Sequence, residues 1–324
     1  MILPADFLLR MQILTGAACA SFHAALQSPP PVSVRLNPAK GPADPGEESV
    51  SWCSCGYYLK ERPSFTFDPL FHAGAYYVQE ASSMFLEQAI RAHVSGPVKC
   101  LDLCAAPGGK STHLQALLPA GSLLVSNEIL KSRAAVLQEN LIKWGNPGAL
   151  VTSNHPAEMS RLPHFFDVVV ADLPCSGEGM FRKDPSSAAQ WSANNVAGCA
   201  LRQRRILHDC WDALKPGGLL IYCTCTYNIE ENEDNLQYII QTLGGEALPV
   251  PVRDEWKITG ALKYNHPAYR FFPHLTRGEG FFLAVIQKQE GRALPVRNEK
   301  GRKNGDARRN LSPDVSHWLK HPSD

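Results

Sequence analysis

From residue 97 onward the chain alternates short apolar runs with amphipathic segments of helical length, and this alternation leaves few architectures open. The runs fall at 98–104, 122–127, 149–153, 166–171 and 219–226, with a last one at 281–287. Helical segments at 114–118, 131–144, 196–214 and 231–243 lie between them. Lys215, Pro216, Gly217 and Gly218 read as the stop of the third helix, and Gly244 as the stop of the fourth. Strands alternating with helices at this spacing predict an α/β fold: a doubly wound, Rossmann-like, mostly parallel sheet with helices on both faces. Ligands of such sheets sit in the crevice beyond the carboxyl ends of the strands. The residues just after each run are therefore the ones to read for chemistry.

Upstream, residues 1–90 predict a small N-terminal α+β domain: one amphipathic helix within 1–26, a Gly/Pro/acid-rich loop at 39–48, and short extended pieces. Residues 91–288 form the expected catalytic domain, and 289–324 a basic, flexible tail carrying Arg297, Lys300, Arg302, Lys303, Arg308 and Arg309. The formal net charge is only +1, so a nucleic-acid partner has to be met by local patches and not by a global field. No run reaches the roughly 18 apolar residues a bilayer span needs, so no membrane partner is expected. Asp6 and Arg10 interrupt any signal-peptide core. Several of the ten cysteines sit inside apolar runs, which suits reduced thiols in a cytoplasmic protein better than a disulfide scaffold. A monomer is the expected state.

The first run leads into Asp102-Leu103-Cys104-Ala105-Ala106-Pro107-Gly108-Gly109-Lys110-Ser111. Two glycines after a buried strand let the backbone turn tightly and approach a ligand. The helix that follows offers free N–H donors and the positive end of its dipole. The ending Gly-Lys-Ser invites comparison with a phosphate-binding loop, but Cys104 stands where that loop needs its first glycine, and Pro107 lacks an amide. The second run ends at Asn127-Glu128, about 20 residues past the glycines, where an acid is placed to accept hydrogen bonds from ribose hydroxyls. A simple helix cap is the plainer use of such an acid.

The fourth run ends in Asp172-Leu173-Pro174-Cys175-Ser176-Gly177-Glu178-Gly179, and the fifth in Cys223-Thr224-Cys225-Thr226-Tyr227. These strands should be neighbours, so Cys175 and Cys225 should face one crevice. Cys104, Cys199, Cys210 and Cys223 read as small buried residues, the usual fate of a free cysteine. The pairs Cys53-x-Cys55 and Cys223-x-Cys225 have single-residue spacing and no accompanying pair of histidines, so no metal site is expected. Two thiols at one crevice suit nucleophilic chemistry, since a thiolate both attacks and leaves well. The residues alone leave the roles of the two sulfurs exchangeable.

Taken together, 102–111, 172–177 and 224–227 resemble the Sun/Nop (NSUN) family of RNA cytosine-5 methyltransferases. Gly177 to Pro185, Val34-Arg35-Leu36-Asn37, the stretch 77–84, Arg270-Phe271-Phe272-Pro273-His274 and Gly280-Phe281-Phe282 are similar to the bacterial YebU-type, small-subunit ribosomal RNA branch. The resemblance covers roughly residues 5–287. It implies S-adenosyl-L-methionine as cofactor, with Cys104, Ala105, Ala106, Pro107, Gly108, Gly109 and Lys110 around its methionine and ribose, Glu128 on the ribose hydroxyls, and Asp172 between cofactor and cytosine. It also implies Cys225 as nucleophile, Cys175 as the group that aids product release, and Arg35, Asn37, Arg182 and Lys183 as RNA contacts. The acid that the family places beside adenine falls here at His155, next to Asn154. Larger relatives carry a further C-terminal RNA-binding domain, where only the short basic tail is expected here, so RNA affinity or target choice is expected to differ. RNA is the implied partner, either 16S ribosomal RNA or the small subunit.

Three alternatives stand beside this reading. One is the same chemistry on transfer RNA. Another is methylation of a different acceptor, against which Pro174-Cys175 and Cys225 both argue. The last is a non-catalytic RNA-binding or ribosome-assembly protein on this scaffold.

Overall fold

The apolar runs become the strands of one large sheet. In chain order the elements are α1 (Ala5–Thr15), α2 (Cys19–Gln27), β1 (Val32–Leu36), β2 (Gly56–Leu59), α3 (Pro69–His72), β3 (Tyr76–Val78), α4 (Leu86–His93), β4 (Lys99–Asp102) and α5 (Gly109–Leu117). There follow β5 (Leu123–Asn127), α6 (Lys131–Trp144), β6 (Ala149–Thr152), β7 (Phe166–Asp172), α7 (Pro185–Gln190), α8 (Ala193–Cys210), β8 (Leu214–Thr224), α9 (Glu233–Tyr238), β9 (Gly245–Leu248), β10 (Tyr269–Phe271) and β11 (Phe281–Lys288). The structure is a computed structural model that describes residues 2–41 and 48–290. Nearly all of the expected basic tail, and most of the expected 39–48 loop, lie outside the described residues.

The eight-stranded sheet runs β10-β11-β8-β7-β4-β5-β6, with β9 added to β11. Strands β8, β7, β4, β5 and β6 are mutually parallel. The late strand β11 lies antiparallel to β8, β9 and β10, which makes the sheet mixed. Central strands covered on both faces read as unbroken apolar runs, and Val168–Val169–Val170 on β7 beside Leu220–Ile221–Tyr222 on β8 are fully buried.

Several expected boundaries move. The long helix starts earlier, at α8, because the Ser192 hydroxyl caps it by accepting the Asn195 N–H (3.1 Å). It also ends earlier, so Pro216, Gly217 and Gly218 are not its stop. They lie inside β8, where the register with β7 slips between Phe166 and Val168. A bulge with Gly217 at φ +75° accommodates a proline that a regular central strand would reject. The single N-terminal helix is two, α1 and α2, parted at Gly16, whose φ is +52°. The expected helix over 231–243 is α9 followed by one wide π turn, Ile239–Leu243.

The antiparallel sheet β2-β1-β3 shares a core with the large one. Trp52, Met84 and Phe85 cluster with Val168, Ile221, Phe271 and Leu283. A second cluster joins Phe7 of α1 and Phe22 of α2 to Phe181, Trp191, Tyr227 and Phe272, all from segments that follow strand tips. Each fully buried Phe there contributes about 1.5–3 kcal/mol. Among the described residues no helix is long and apolar enough to cross a membrane.

Candidate functional site

Strands β7 and β8 run parallel with Asp172 opposite Cys223, so the chain continues past both tips side by side. Three residues beyond Asp172 and two beyond Cys223, the sulfurs of Cys175 and Cys225 stand 3.1 Å apart. That is well beyond the roughly 2.05 Å of a disulfide, and all ten cysteines are free thiols. The Cys175 thiol is pushed well above its ordinary value by its bond to Cys225, by burial and by the nearby Glu231 carboxylate. The raised value favours a protonated Cys175, and the 3.1 Å contact is a thiol–thiol hydrogen bond in which either sulfur can be the donor.

A cavity of about 380 Å³ opens on Cys225; Cys175, in contact with that sulfur, is not part of its lining. It is lined by Asp102, Cys104, Ala105, Ala106, Pro107, Gly109, Lys110, Asp172 and Cys225, which the sequence had placed together. Gly108 does not line it but shapes it: its φ is +112°, and a Cβ would stand 3.2 Å from the Leu137 side chain. Lys110 Nζ lies 2.7 Å from Asp172 Oδ2. Burial pulls the ammonium pKa down, but Asp172 outweighs it, so Lys110 stays charged. Asp102 is fully buried and accepts the Ser111 hydroxyl (2.6 Å) on one oxygen. Its other oxygen has no partner among the described residues. Burial lifts this carboxyl to about 7, against the opposing pulls of Ser111 and Lys110. An orphaned carboxylate oxygen, a glycine turn and the N-terminus of α5 fit a ligand with a cationic amino-acid end.

Glu128 follows the tip of β5 but is not part of the cavity lining. It accepts the Leu130 N–H (3.0 Å) and pairs with Arg133 (3.3 Å), which in turn donates to the Ala106 carbonyl (2.8 Å). His155 caps a short turn, its Nδ1 accepting the Ala157 N–H at 3.2 Å. The Asn154 N–H is bound to Asn127 Oδ1 at 2.9 Å. Asn127, which sequence reasoning passed over, also donates to the Leu103 and Asn154 carbonyls and so ties three strand ends together.

Three of the four expected RNA contacts are corrected to internal struts. Arg35 is 1% exposed; it bonds Gln79 (2.8 Å) and Thr112 (2.7 Å) and stacks on Trp144. Asn37 donates to the Gly74 and Trp144 carbonyls. Arg182 bonds Glu279 (2.8 Å) and the Ala25 and Gly278 carbonyls. Each spans segments distant in sequence, a use of a polar residue that sequence alone does not separate from ligand binding. Lys183 differs: it is exposed and lines the cavity mouth.

Residues not anticipated complete the site. Tyr77, Gln79, Glu80 and Ser83 bring the N-terminal segment to the cavity wall. Glu231 accepts the Ser176 N–H (3.0 Å), the Gln203 amide (2.7 Å) and the Asn228 amide (2.8 Å). Glu233 forms a buried ion pair with Arg270, which also donates to the Tyr227 carbonyl (2.6 Å). In the sequence, 77–84 and 270–274 stood out only as stretches similar to the family branch, with no role given to these side chains. Elsewhere, Cys53, Glu87 and His113 converge in the core, with His113 Nε2 at 3.4 Å from Glu87 and 3.9 Å from Cys53. Three donors are one fewer than a closed zinc site takes, and Glu87 already accepts Ser54 and Arg91.

The profile described as 16S rRNA methyltransferase RsmB/F matches residues 94–287, and that of the N-terminal domain of 16S rRNA methyltransferase RsmF matches residues 3–81. Ribosomal RNA small subunit methyltransferase F of Pectobacterium atrosepticum is 33% identical over 304 residues, covering 88% of this chain and 63% of that protein. The protein of the same name from Aliivibrio fischeri is 31% identical, covering 90% and 66%. The chain thus spans a little under two thirds of the length of these relatives. A solved methyltransferase homolog protein from Pyrococcus horikoshii superposes with TM-score 0.72 at 26% identity, covering 87% of this chain and 94% of that one. NSun6 from Pyrococcus horikoshii with SFG shares the fold at TM-score 0.74 and 18% identity, covering 89% and 99%.

Proposed function

We propose, because the chain belongs to the 16S rRNA methyltransferase RsmB/F family, that it methylates carbon 5 of a cytosine in RNA, 16S ribosomal RNA being the expected substrate, with S-adenosyl-L-methionine as methyl donor. The observation that carries this reading is the Cys225 sulfur at one cavity with the glycine loop and Lys110–Asp172, with the Cys175 sulfur 3.1 Å from it. A monomer working in the cytoplasm belongs to the same proposal.

Carbon 5 of cytosine is too weak a nucleophile to take a methyl group directly. The Cys225 thiolate adds to carbon 6, which breaks the aromaticity and moves the electron pair to carbon 5. Bound in the cavity, the cofactor supplies an electrophilic methyl group; the loop Cys104–Lys110 and Asp102 would hold it. The target base has to be single-stranded or flipped out to reach these groups. Asp172 and the charged Lys110, on the wall of the same cavity, are placed to orient the pyrimidine. After methylation the proton on carbon 5 is lost to a base, the carbon 5–carbon 6 double bond re-forms, and Cys225 departs as thiolate. Cys175, which keeps its proton, stabilises that departing thiolate through the sulfur–sulfur hydrogen bond.

The test is mass-spectrometric nucleoside analysis of 16S ribosomal RNA incubated with the protein and labelled S-adenosylmethionine. New 5-methylcytidine is expected, none with Cys225→Ala, and a denaturant-stable protein–RNA adduct with Cys175→Ala. An adduct that survives Cys225→Ala exchanges the two roles; label on another nucleoside ends the reading.

A further inference from the structure

The position of the Cys225 sulfur depends on the backbone after it, and three consecutive residues there are bound to one group. Thr226 Oγ1 (2.6 Å), the Tyr227 N–H (2.8 Å) and the Asn228 N–H (2.9 Å) all donate to a single carboxylate oxygen of Glu178. The other oxygen accepts the indole N–H of Trp191 (3.0 Å). Glu178 is completely buried. The next residue, Gly179, donates its N–H to the Cys225 carbonyl (2.9 Å). A Cβ at Gly179 would stand 2.5 Å from the Gly280 carbonyl oxygen and 3.0 Å from that of Cys225, so the approach needs glycine. Behind Trp191, Phe7 of α1 packs edge-on at 5.7 Å.

A buried carboxylate is tolerated only when donors satisfy it, and four do so here. Its charge lies beside a residue that acts as a thiolate, which electrostatics alone disfavours. A carboxylate at this point is explained by what it holds. We propose that Glu178 is a positioning residue for Cys225: it locks the Thr226–Asn228 loop so that the nucleophilic sulfur stays against Cys175, with Trp191 anchoring the carboxylate from behind. This rests on Cys225 being the nucleophile.

The experiment follows the sulfur pair directly, independent of any RNA. In the purified full chain, diamide takes two hydrogens from Cys175 and Cys225 to give a disulfide, itself becoming the hydrazine, and peptide mass mapping times closure of that pair. Glu178→Gln keeps the size but presents an amide to the N–H donors, and should slow closure roughly tenfold and lower kcat about a hundredfold with the KM for RNA within about threefold. Trp191→Phe keeps an aromatic ring but removes the indole hydrogen bond and some side-chain volume; about threefold is expected in both readouts. S-adenosylmethionine affinity of Trp191→Phe should stay at the parental level, with a melting temperature lowered by only a few degrees. Parental closure rates in both variants overturn the proposal, as does a Glu178→Gln loss that tracks lost folding while Trp191→Phe behaves as the parent. A parent that closes its sulfur pair normally but methylates no cytosine refutes the functional reading, and the closure rates still decide the role of Glu178.

Discussion

Asp102→Asn should stabilise the ligand-free protein at neutral pH while weakening its grip on a cationic ligand. Asp102 is fully buried, one of its oxygens is unpartnered, and burial raises its carboxyl from 3.8 to about 7. The displacement corresponds to about 4 kcal/mol of pH-dependent stability. Below pH 3.8 the group is protonated whether the chain is folded or not, and it costs nothing. Between there and about 7 the unfolded chain releases the proton and the folded chain keeps it, so stability falls as pH rises. Above about 7 the whole cost is present. Asparagine can still accept the Ser111 hydroxyl, and it carries no charge at any pH. The variant should therefore match the parent near pH 4 and exceed it by up to about 4 kcal/mol at pH 8. For roughly 300 residues that amounts to about 6 °C in melting temperature. Thermal melts of both proteins at pH 4, 6 and 8 give the difference, and calorimetric titration with S-adenosylmethionine at pH 8 gives the loss of affinity. A difference that is the same at all three pH values, or a variant that melts below the parent at pH 8, refutes the account of Asp102.

Two further outcomes follow from the placement of charged groups. Lys183→Gln should weaken RNA binding and lower the slope of log affinity against log salt by about one, while Arg182→Gln should leave that slope unchanged and lower the melting temperature, because only Lys183 is exposed at the cavity mouth. Arg270→Leu should destabilise by about 3–5 kcal/mol in urea melts by leaving Glu233 buried without its cation, and adding Glu233→Leu should recover most of that; additive losses would show that the pair is not coupled.

What the sequence could establish was local. The apolar runs had to be strands because their period and length allow little else, and the glycine loop had to turn sharply where Gly108 adopts a positive φ. The two cysteines could be paired in advance because adjacent parallel strands bring the residues just past their tips together, and Cys175 and Cys225 lie three and two residues past paired positions. Boundaries were less legible. Pro216-Gly217-Gly218 has the composition of a helix stop, yet a bulge lets it continue a strand.

Tertiary structure alone decided what the polar residues do. Arg35, Asn37 and Arg182 have the chemistry of RNA ligands, and only three-dimensional packing shows their donors spent on carbonyls and side chains up to 157 positions away. Glu178 and Glu231 gave no clear sequence signal, because their meaning lies in which N–H groups the fold directs at them. Strand and helix periodicity is written in neighbouring residues, whereas the satisfaction of buried charge depends on partners that come together only when the chain has closed.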